Sequence, residues 1–136
     1  MDVTEAQAFL QEHHRAVMHT YREDGSPQLS PVTVGVDDDG RAVISTRAPS
    51  VKVRNLERDP RTSLCVFTDA FYGPWVRIDG RAEIVRLPDA MELLVDYYRR
   101  ISGEHPDWDD YRRAMREEQR VVLRIAVERA GPDVSG

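Results

Sequence analysis

Apolar and polar residues alternate along much of this chain, which is the pattern of β-strands that bury one face. The clearest case is the segment 121–128, in which every second residue is apolar, namely Val121, Leu123, Ile125 and Val127. Similar segments predict five further strands, at 16–21, 27–36, 41–46, 61–68 and 75–85. Six strands joined mostly by short connections predict an antiparallel sheet that forms a small closed or split barrel.

Helical spacing interrupts this pattern at a few places. The longest helix is predicted to begin at Pro88 and to end at Gly103, because its apolar residues recur three and four positions apart. Shorter helices are predicted at 4–13 with Thr4 as N-cap, from Ser50 onward, and at 108–118 after Asp107. The prediction is therefore a mainly β (α+β) fold, a barrel with flanking short helices.

Composition and charge narrow the classes of function. A chain of 136 residues predicts one domain, at 1–130, followed by a flexible C-terminal tail at 131–136. The net charge of −5 argues against binding to nucleic acid or to an anionic membrane, and no apolar run reaches the length of a membrane span. The single cysteine, Cys65, lies in an apolar run that predicts a buried position, and a reducing, cytoplasmic compartment is expected.

The candidate chemistry lies in the segment 45–61. Two hydroxyl residues, Ser45 and Thr46, end a strand, and a short helix with Ser50 at its N-cap position follows. Lys52 lies in the first turn of this helix, beside free backbone N–H groups, and shares a face with Asn55. This arrangement suits the phosphate of a small molecule. An ordinary surface helix, with cations paired to Glu57 and Asp59, fits the spacing equally well.

Other polar clusters favour structure over chemistry. The adjacent His13 and His14 close a helix, and the acidic turn that contains His105 and Asp107 caps the next one. Neither cluster has the ligand set of a metal site, so no metal is expected. We identify no dedicated catalytic acid or base.

Three motifs resemble one known family. They are GSPQLSPV at 25–32, KVRNLERDPR at 52–61 and YRRISGEHPDWDDYR at 98–112. Together they resemble the pyridoxamine 5′-phosphate oxidase-like, FMN-binding split β-barrel proteins. The third motif is similar to a narrower subgroup, the flavin/deazaflavin oxidoreductases that use coenzyme F-420. The resemblance covers nearly the whole chain and implies a six-stranded antiparallel split β-barrel.

The resemblance also implies a homodimer with two cofactor sites at the subunit interface. The cofactor phosphate would meet the end of the third strand and the following helix, and the ring would lie against the second strand. The start of the fifth strand would come from the other subunit or flank the cofactor tail. The implied site residues are Gln28, Ser30, Pro31, Val32, Thr33, Ser45, Thr46, Ser50, Lys52, Asn55, Trp75 and Arg77.

The chain departs from the family pattern at Ser50, where many relatives carry an arginine. Arg47 or Arg54 would then have to supply the missing positive charge near the phosphate.

The function implied by the resemblance is hydride transfer from reduced F-420 to an electron-poor small molecule, such as a conjugated enone or a tetrapyrrole bridge. An FMN-binding oxidoreductase of the same fold is the first alternative. A non-catalytic flavin- or haem-binding module is the second, although none of the four histidines lies in a haem motif.

Overall fold

The computed structural model describes residues 1–132, which form six strands and four helices. The strands are β1 (Arg15–Tyr21), β2 (Pro27–Val36), β3 (Ala42–Arg47), β4 (Arg61–Phe67), β5 (Trp75–Val85) and β6 (Arg120–Gly131). The helices are α1 (Val3–Glu12), α2 (Val51–Arg58), α3 (Met91–Ser102) and α4 (Trp108–Glu117). The longest of these helices has 12 residues, and no described helix could cross a membrane.

The strands close into an antiparallel barrel in the order β1-β2-β3-β6-β5-β4. Short turns join β1 to β2 and β2 to β3, whereas α2 carries the chain across from β3 to β4. The last strand, β6, enters between β3 and β5 and thereby closes the barrel. The predicted six-stranded antiparallel barrel with short flanking helices is confirmed.

The core has two parts. Inward-facing residues of all six strands fill the barrel, and Val53 and Leu56 of α2 join them. A second cluster lies between the outer surface of the barrel and helices α3 and α4. There the Tyr111 hydroxyl donates a hydrogen bond to the Leu94 carbonyl at 2.8 Å. Burial is the main reason that the pKa of Tyr111 rises to about 12. The helix pair is thus fastened to one side of the barrel.

Several element boundaries differ from the predictions. Helix α1 is capped by Asp2 and not Thr4, because the Asp2 carboxylate accepts the Glu5 backbone N–H at 2.8 Å. Helix α3 begins at Met91, since Pro88 belongs to a preceding turn in which the Met91 N–H bonds to the Pro88 carbonyl.

Strand β6 also runs further than predicted, to Gly131, which pairs with Arg77 and was assigned to the tail. The remainder of the predicted tail, 133–136, lies outside the described residues.

Cys65 is exposed, which corrects its predicted burial. Its neighbours Leu64 and Val66 point into the barrel, so the side chain between them must point outward. The apolar run around it concealed this alternation.

The barrel is split between β2 and β3. Strand β2 pairs with β1 along seven residues but with β3 only at its last three, Val34, Gly35 and Val36. The first part of β2 therefore diverges from the end of β3, and the opening between them forms the cleft described next.

Candidate functional site

A cleft of about 540 Å³ occupies the opening between β2 and β3. It has an apolar side and a cationic side. The apolar side is lined by Ala16, Val17, Pro31, Val32 and Phe67. The polar lining consists of Arg15, Thr33, Ser45, Lys52 and Arg120. A cavity of this size that combines an apolar wall with charged and hydroxyl side chains has the character of a small-molecule site.

Lys52 is the most informative residue of the cleft. It is half-buried, and within residues 1–132 its ammonium group has no hydrogen-bond or ion-pair partner. The pKa of Lys52 is lowered, first by the loss of water around it and second by repulsion from Arg120. Arg120 itself is bonded to Glu118 at 2.7 Å. Lys52 and Arg120 thus lie close together in the cleft and repel each other, so an anion bound there would relieve the repulsion.

The ion pairs of Glu57 and Asp59 bear on the two interpretations of α2. The surface-helix interpretation paired its cations with Glu57 and Asp59. Instead, Glu57 pairs with Arg86 at 3.3 Å and Asp59 pairs with Arg61 at 2.7 Å. Lys52 therefore turns into the cleft without a compensating carboxylate, which favours the interpretation as an anion site.

The predicted phosphate-side residues are only partly brought together. Ser45 and Lys52 line the cleft, and Ser50 occupies the N-cap position of α2 as predicted. The Ser50 side chain makes no capping hydrogen bond, and its hydroxyl lies 3.4 Å from that of the buried Thr46. The first-turn N–H groups of α2 are thus not satisfied by their own cap residue.

Asn55 lies away from the cleft. Its buried amide donates to the Thr20 hydroxyl at 3.1 Å and accepts a hydrogen bond from Arg58 at 2.9 Å. The hydrogen bond to Thr20 fastens α2 to β1. Asn55 therefore supports the helix that presents Lys52, although it does not line the cleft.

Of the residues predicted to contact the cofactor ring, some line the cleft and others do not. Pro31, Val32 and Thr33 line the cleft, whereas Gln28 and Ser30 lie nearer the start of β2, opposite Thr20 and Met18 of β1. The Gln28 side chain accepts a hydrogen bond from Arg22 at 2.6 Å. The cleft thus uses the middle of β2, directly before the three residues that pair with β3.

Trp75 and Arg77 lie outside the cleft of their own chain. They belong to β5, opposite Phe67 and Cys65 of β4. Arg77 pairs with Asp79 at 3.2 Å, and the exposed fraction of Trp75 is 39%. Their predicted contact with a cofactor depends on a second subunit.

Sequence reasoning missed five lining residues, Arg15, Ala16, Val17, Phe67 and Arg120. The most consequential is Arg120, which adds a second positive charge to the cleft. Because position 50 is a serine, this charge was expected to come from Arg47 or Arg54. The pairing of β6 with β3 sets Arg120 opposite Arg47 and places it beside Lys52. Nothing in the local sequence around Arg120 indicates this neighbour.

A second cavity, of about 530 Å³, adjoins the cleft and shares Arg15 and Phe67 with it. Its remaining lining residues are Glu12, His13, His14, Thr68, Asp69 and Ala70. The Nδ1 atom of His14 lies 2.9 Å from the Val34 carbonyl, a contact that makes Nδ1 the donor. Arg15 pairs with Asp69 at 2.7 Å in an exposed ion pair, which contributes little stability.

The described part of the chain holds no group of three or more His, Cys, Asp or Glu side chains that could bind a metal ion together. The turn before α4 is engaged in capping. The Asp107 carboxylate accepts the Asp110 N–H, and the His105 ring accepts the Asp107 N–H at 2.9 Å.

Comparison with known proteins agrees with this geometry. Residues 3–132 match the family model described as pyridoxamine 5′-phosphate oxidase. An F420H(2)-dependent biliverdin reductase of Mycobacterium tuberculosis is 30% identical over 129 residues, which cover 92% of this chain and 83% of that protein.

Two solved structures share the fold. A conserved hypothetical protein of Mycobacterium tuberculosis has 28% identity and a TM-score of 0.77, with 100% of this chain and 92% of that chain covered. A structure described as an F420 reductase has 18% identity and a TM-score of 0.70, with coverage of 92% and 94%. The chain belongs to the pyridoxamine 5′-phosphate oxidase family of oxidoreductases.

Proposed function

We propose that this protein is an F-420-dependent reductase that acts on an electron-poor small molecule. The observation that carries the proposal is Lys52, which lies beside Arg120 in the cleft and has no hydrogen-bond or ion-pair partner among residues 1–132. The 30% identical relative named as F420H(2)-dependent supports the choice of cofactor. When bound, reduced F-420 supplies the hydride.

The residues of the cleft fit such a cofactor. Its phosphate would be held by Lys52, Arg120 and the Ser45 hydroxyl, which together provide charge and hydrogen-bond donors. Its planar ring system would lie against the apolar side, between Pro31 and Phe67. These apolar side chains exclude water from the ring.

Proton linkage gives this site a pH dependence with a definite sign. Because the pKa of Lys52 is lowered in the free protein, part of its charge is lost at a lower pH than for an exposed lysine. A bound phosphate favours the protonated form and raises that pKa again. Cofactor affinity is therefore expected to fall as pH rises through the lowered pKa.

The second cavity is the place that we propose for the substrate. It shares Arg15 and Phe67 with the cleft, so a molecule in it would lie beside the cofactor ring. A carboxylate on the substrate could take the place of Asp69 as the partner of Arg15, because that ion pair is exposed.

The cofactor is tested by titrating the purified protein with F-420 and with FMN. Both molecules carry a phosphate and a three-ring system, so both meet the requirements of the cleft. We expect F-420 to bind at least about tenfold more tightly, a difference of ~1.4 kcal/mol, as measured by fluorescence quenching. Tight FMN binding without F-420 binding would support the FMN alternative, and a Soret band after haem addition would support the haem-binding module.

We also propose that the protein is a homodimer with a cofactor site at each interface. The β1–β2 and β1–β4 registers align outward-facing apolar side chains across neighbouring strands. This outer patch consists of Val17, Leu29, Pro31, Cys65, Phe67 and Trp75. Three of its members, Val17, Pro31 and Phe67, also line the cleft. A second copy covering the patch would therefore reach the edge of the cofactor site.

The dimer is tested with Leu29→Arg, because Leu29 belongs to the outer patch and is 61% exposed. A charge there would have to be desolvated on association, so the variant is expected to sediment as a monomer. Ala8→Arg places the same charge on the exposed side of α1 and should leave the dimer intact. A monomeric wild-type protein would contradict the proposal.

A further inference from the structure

The ladder between β2 and β3 stops at a specific pair of residues. Val34 pairs with Ile44, and continuation of the same register would pair Thr33 with Ser45. That pair is not formed. Instead, the Tyr97 hydroxyl, which projects from α3, donates a hydrogen bond to the Thr33 carbonyl at 2.8 Å. A side chain thus satisfies a strand carbonyl at the point where the barrel splits.

The same phenol also meets the other strand. The Ser45 backbone N–H lies close enough to the Tyr97 oxygen to lower the pKa of Tyr97, although burial is the larger effect and raises that pKa overall. The phenol therefore lies between the Ser45 N–H and the Thr33 carbonyl. In an uninterrupted antiparallel ladder these two groups would bond directly to each other.

Gly35 explains how Tyr97 reaches this position. A Cβ atom at Gly35 would lie 3.2 Å from Cδ1 of Ile101 and 3.8 Å from Cδ2 of Tyr97. The absence of a side chain lets α3 pack directly against β2, so the ring of Tyr97 lies across the strand. Only a side chain held this close can insert its hydroxyl between the two strands.

We propose that Tyr97 is a positioning residue, whose hydroxyl divides β2 from β3 and thereby sets the width of the cofactor cleft. Thr33 and Ser45, the two residues that it holds apart, both line that cleft. The effect on cofactor binding rests on the function proposed above, whereas the division of the strands does not.

The test compares Tyr97→Phe with Tyr111→Phe. The two tyrosines are closely matched, because each donates to a backbone carbonyl at 2.8 Å. Tyr111 bonds to the Leu94 carbonyl of α3 and does not line the cleft. In the free wild-type protein, the Ser45 amide should exchange slowly with deuterium although it has no strand partner in β2. We expect Tyr97→Phe to accelerate this exchange at least about tenfold and Tyr111→Phe to leave it unchanged, as measured by NMR.

F-420 titration of the same variants gives the second measurement. Tyr97→Phe should weaken binding about tenfold, and Tyr111→Phe should stay within about twofold of the wild-type affinity, with both variants melting cooperatively. Unchanged Ser45 exchange in Tyr97→Phe would overturn the bridge. Faster exchange with unchanged F-420 affinity would overturn the positioning role. If the wild-type protein binds neither F-420 nor FMN, the proposed function fails, while the exchange result still decides whether Tyr97 divides the strands.

Discussion

Replacing Lys52 by methionine is expected to weaken F-420 binding by about 10- to 100-fold, which corresponds to the ~1.5–3 kcal/mol of a hydrogen bond to a charged group. Methionine keeps the length and the apolar stem of the side chain, so the change removes the charge and leaves the packing. The dissociation constant, measured by fluorescence titration at low and at physiological salt, is the quantity to compare.

The control for this prediction is Arg54→Met. Arg54 lies on the same helix, two residues further along, but is exposed and does not line the cleft. Its removal lowers the net positive charge of α2 by the same amount and should change the affinity less than about threefold. Equal losses in the two variants would mean that long-range attraction, and not contact with Lys52, holds the anion.

Stability provides an independent measurement on Lys52→Met. Because Lys52 is half-buried beside Arg120 and has no carboxylate partner within residues 1–132, its charge costs folding energy. The free energy of unfolding of the variant should equal or exceed that of the wild-type protein. A clear loss of stability would indicate that Lys52 has a structural role instead.

Replacing Gly80 by alanine is expected to destabilise the protein by about 3 kcal/mol or more, at the upper end of the cost of overpacking. A Cβ atom at Gly80 would lie 2.0 Å from the Ala126 carbonyl oxygen and 3.0 Å from Cγ2 of Ile125. The first of these contacts is with the backbone of β6 and cannot be relieved by a rotamer change. Urea denaturation monitored by circular dichroism measures the loss.

Gly25→Ala is the matched control. Gly25 has a φ of +86° in the turn between β1 and β2, and an added Cβ would find no atom within 4 Å. Only the backbone strain remains, and this costs ~1–2 kcal/mol. If the two alanine variants lost equal stability, close approach of β6 would not explain the requirement for glycine at position 80.

The sequence indicated an irregularity in β5 at Gly80 but did not define which kind. A glycine inside a long predicted strand suggested a bulge or a close approach of another group. Both occur, because the β5–β6 register shifts between Asp79 and Gly80 and the backbone of β6 lies directly above the glycine. The partner strand could not be named beforehand, since β6 is some forty residues distant along the chain.

The strands were predictable because each buries one face against the same core. The predicted limits of β2 and β5 agree with the structure, at Pro27–Val36 and Trp75–Val85. Prediction failed where two nearby residues could cap the same helix. The Asp2 carboxylate, and not Thr4, accepts the hydrogen bond from the Glu5 N–H at the start of α1. Prediction also failed at Cys65, where apolar neighbours on both sides hid the outward direction of the side chain.

The candidate site was predictable only in part, for a similar reason. Ser45 and Lys52 were found because a strand end and the helix that follows it are neighbours in the chain. Asn55, three residues from Lys52, was expected at the phosphate. Instead, its amide bonds to Thr20 and fastens α2 to β1. The spacing of residues on a short helix predicts which side chains share one face. It does not predict which part of the protein that face contacts.

The sequence by itself determined the barrel class, the position of most strands and the identity of Lys52 as the candidate anion-binding residue. These properties follow from periodicity and from contacts between residues close in the chain. Tertiary structure alone decided that Arg120 lies beside Lys52 and that Tyr97 enters between Thr33 and Ser45. Both depend on the pairing of β6 with β3 and the packing of α3 on β2, which join segments that are far apart in sequence.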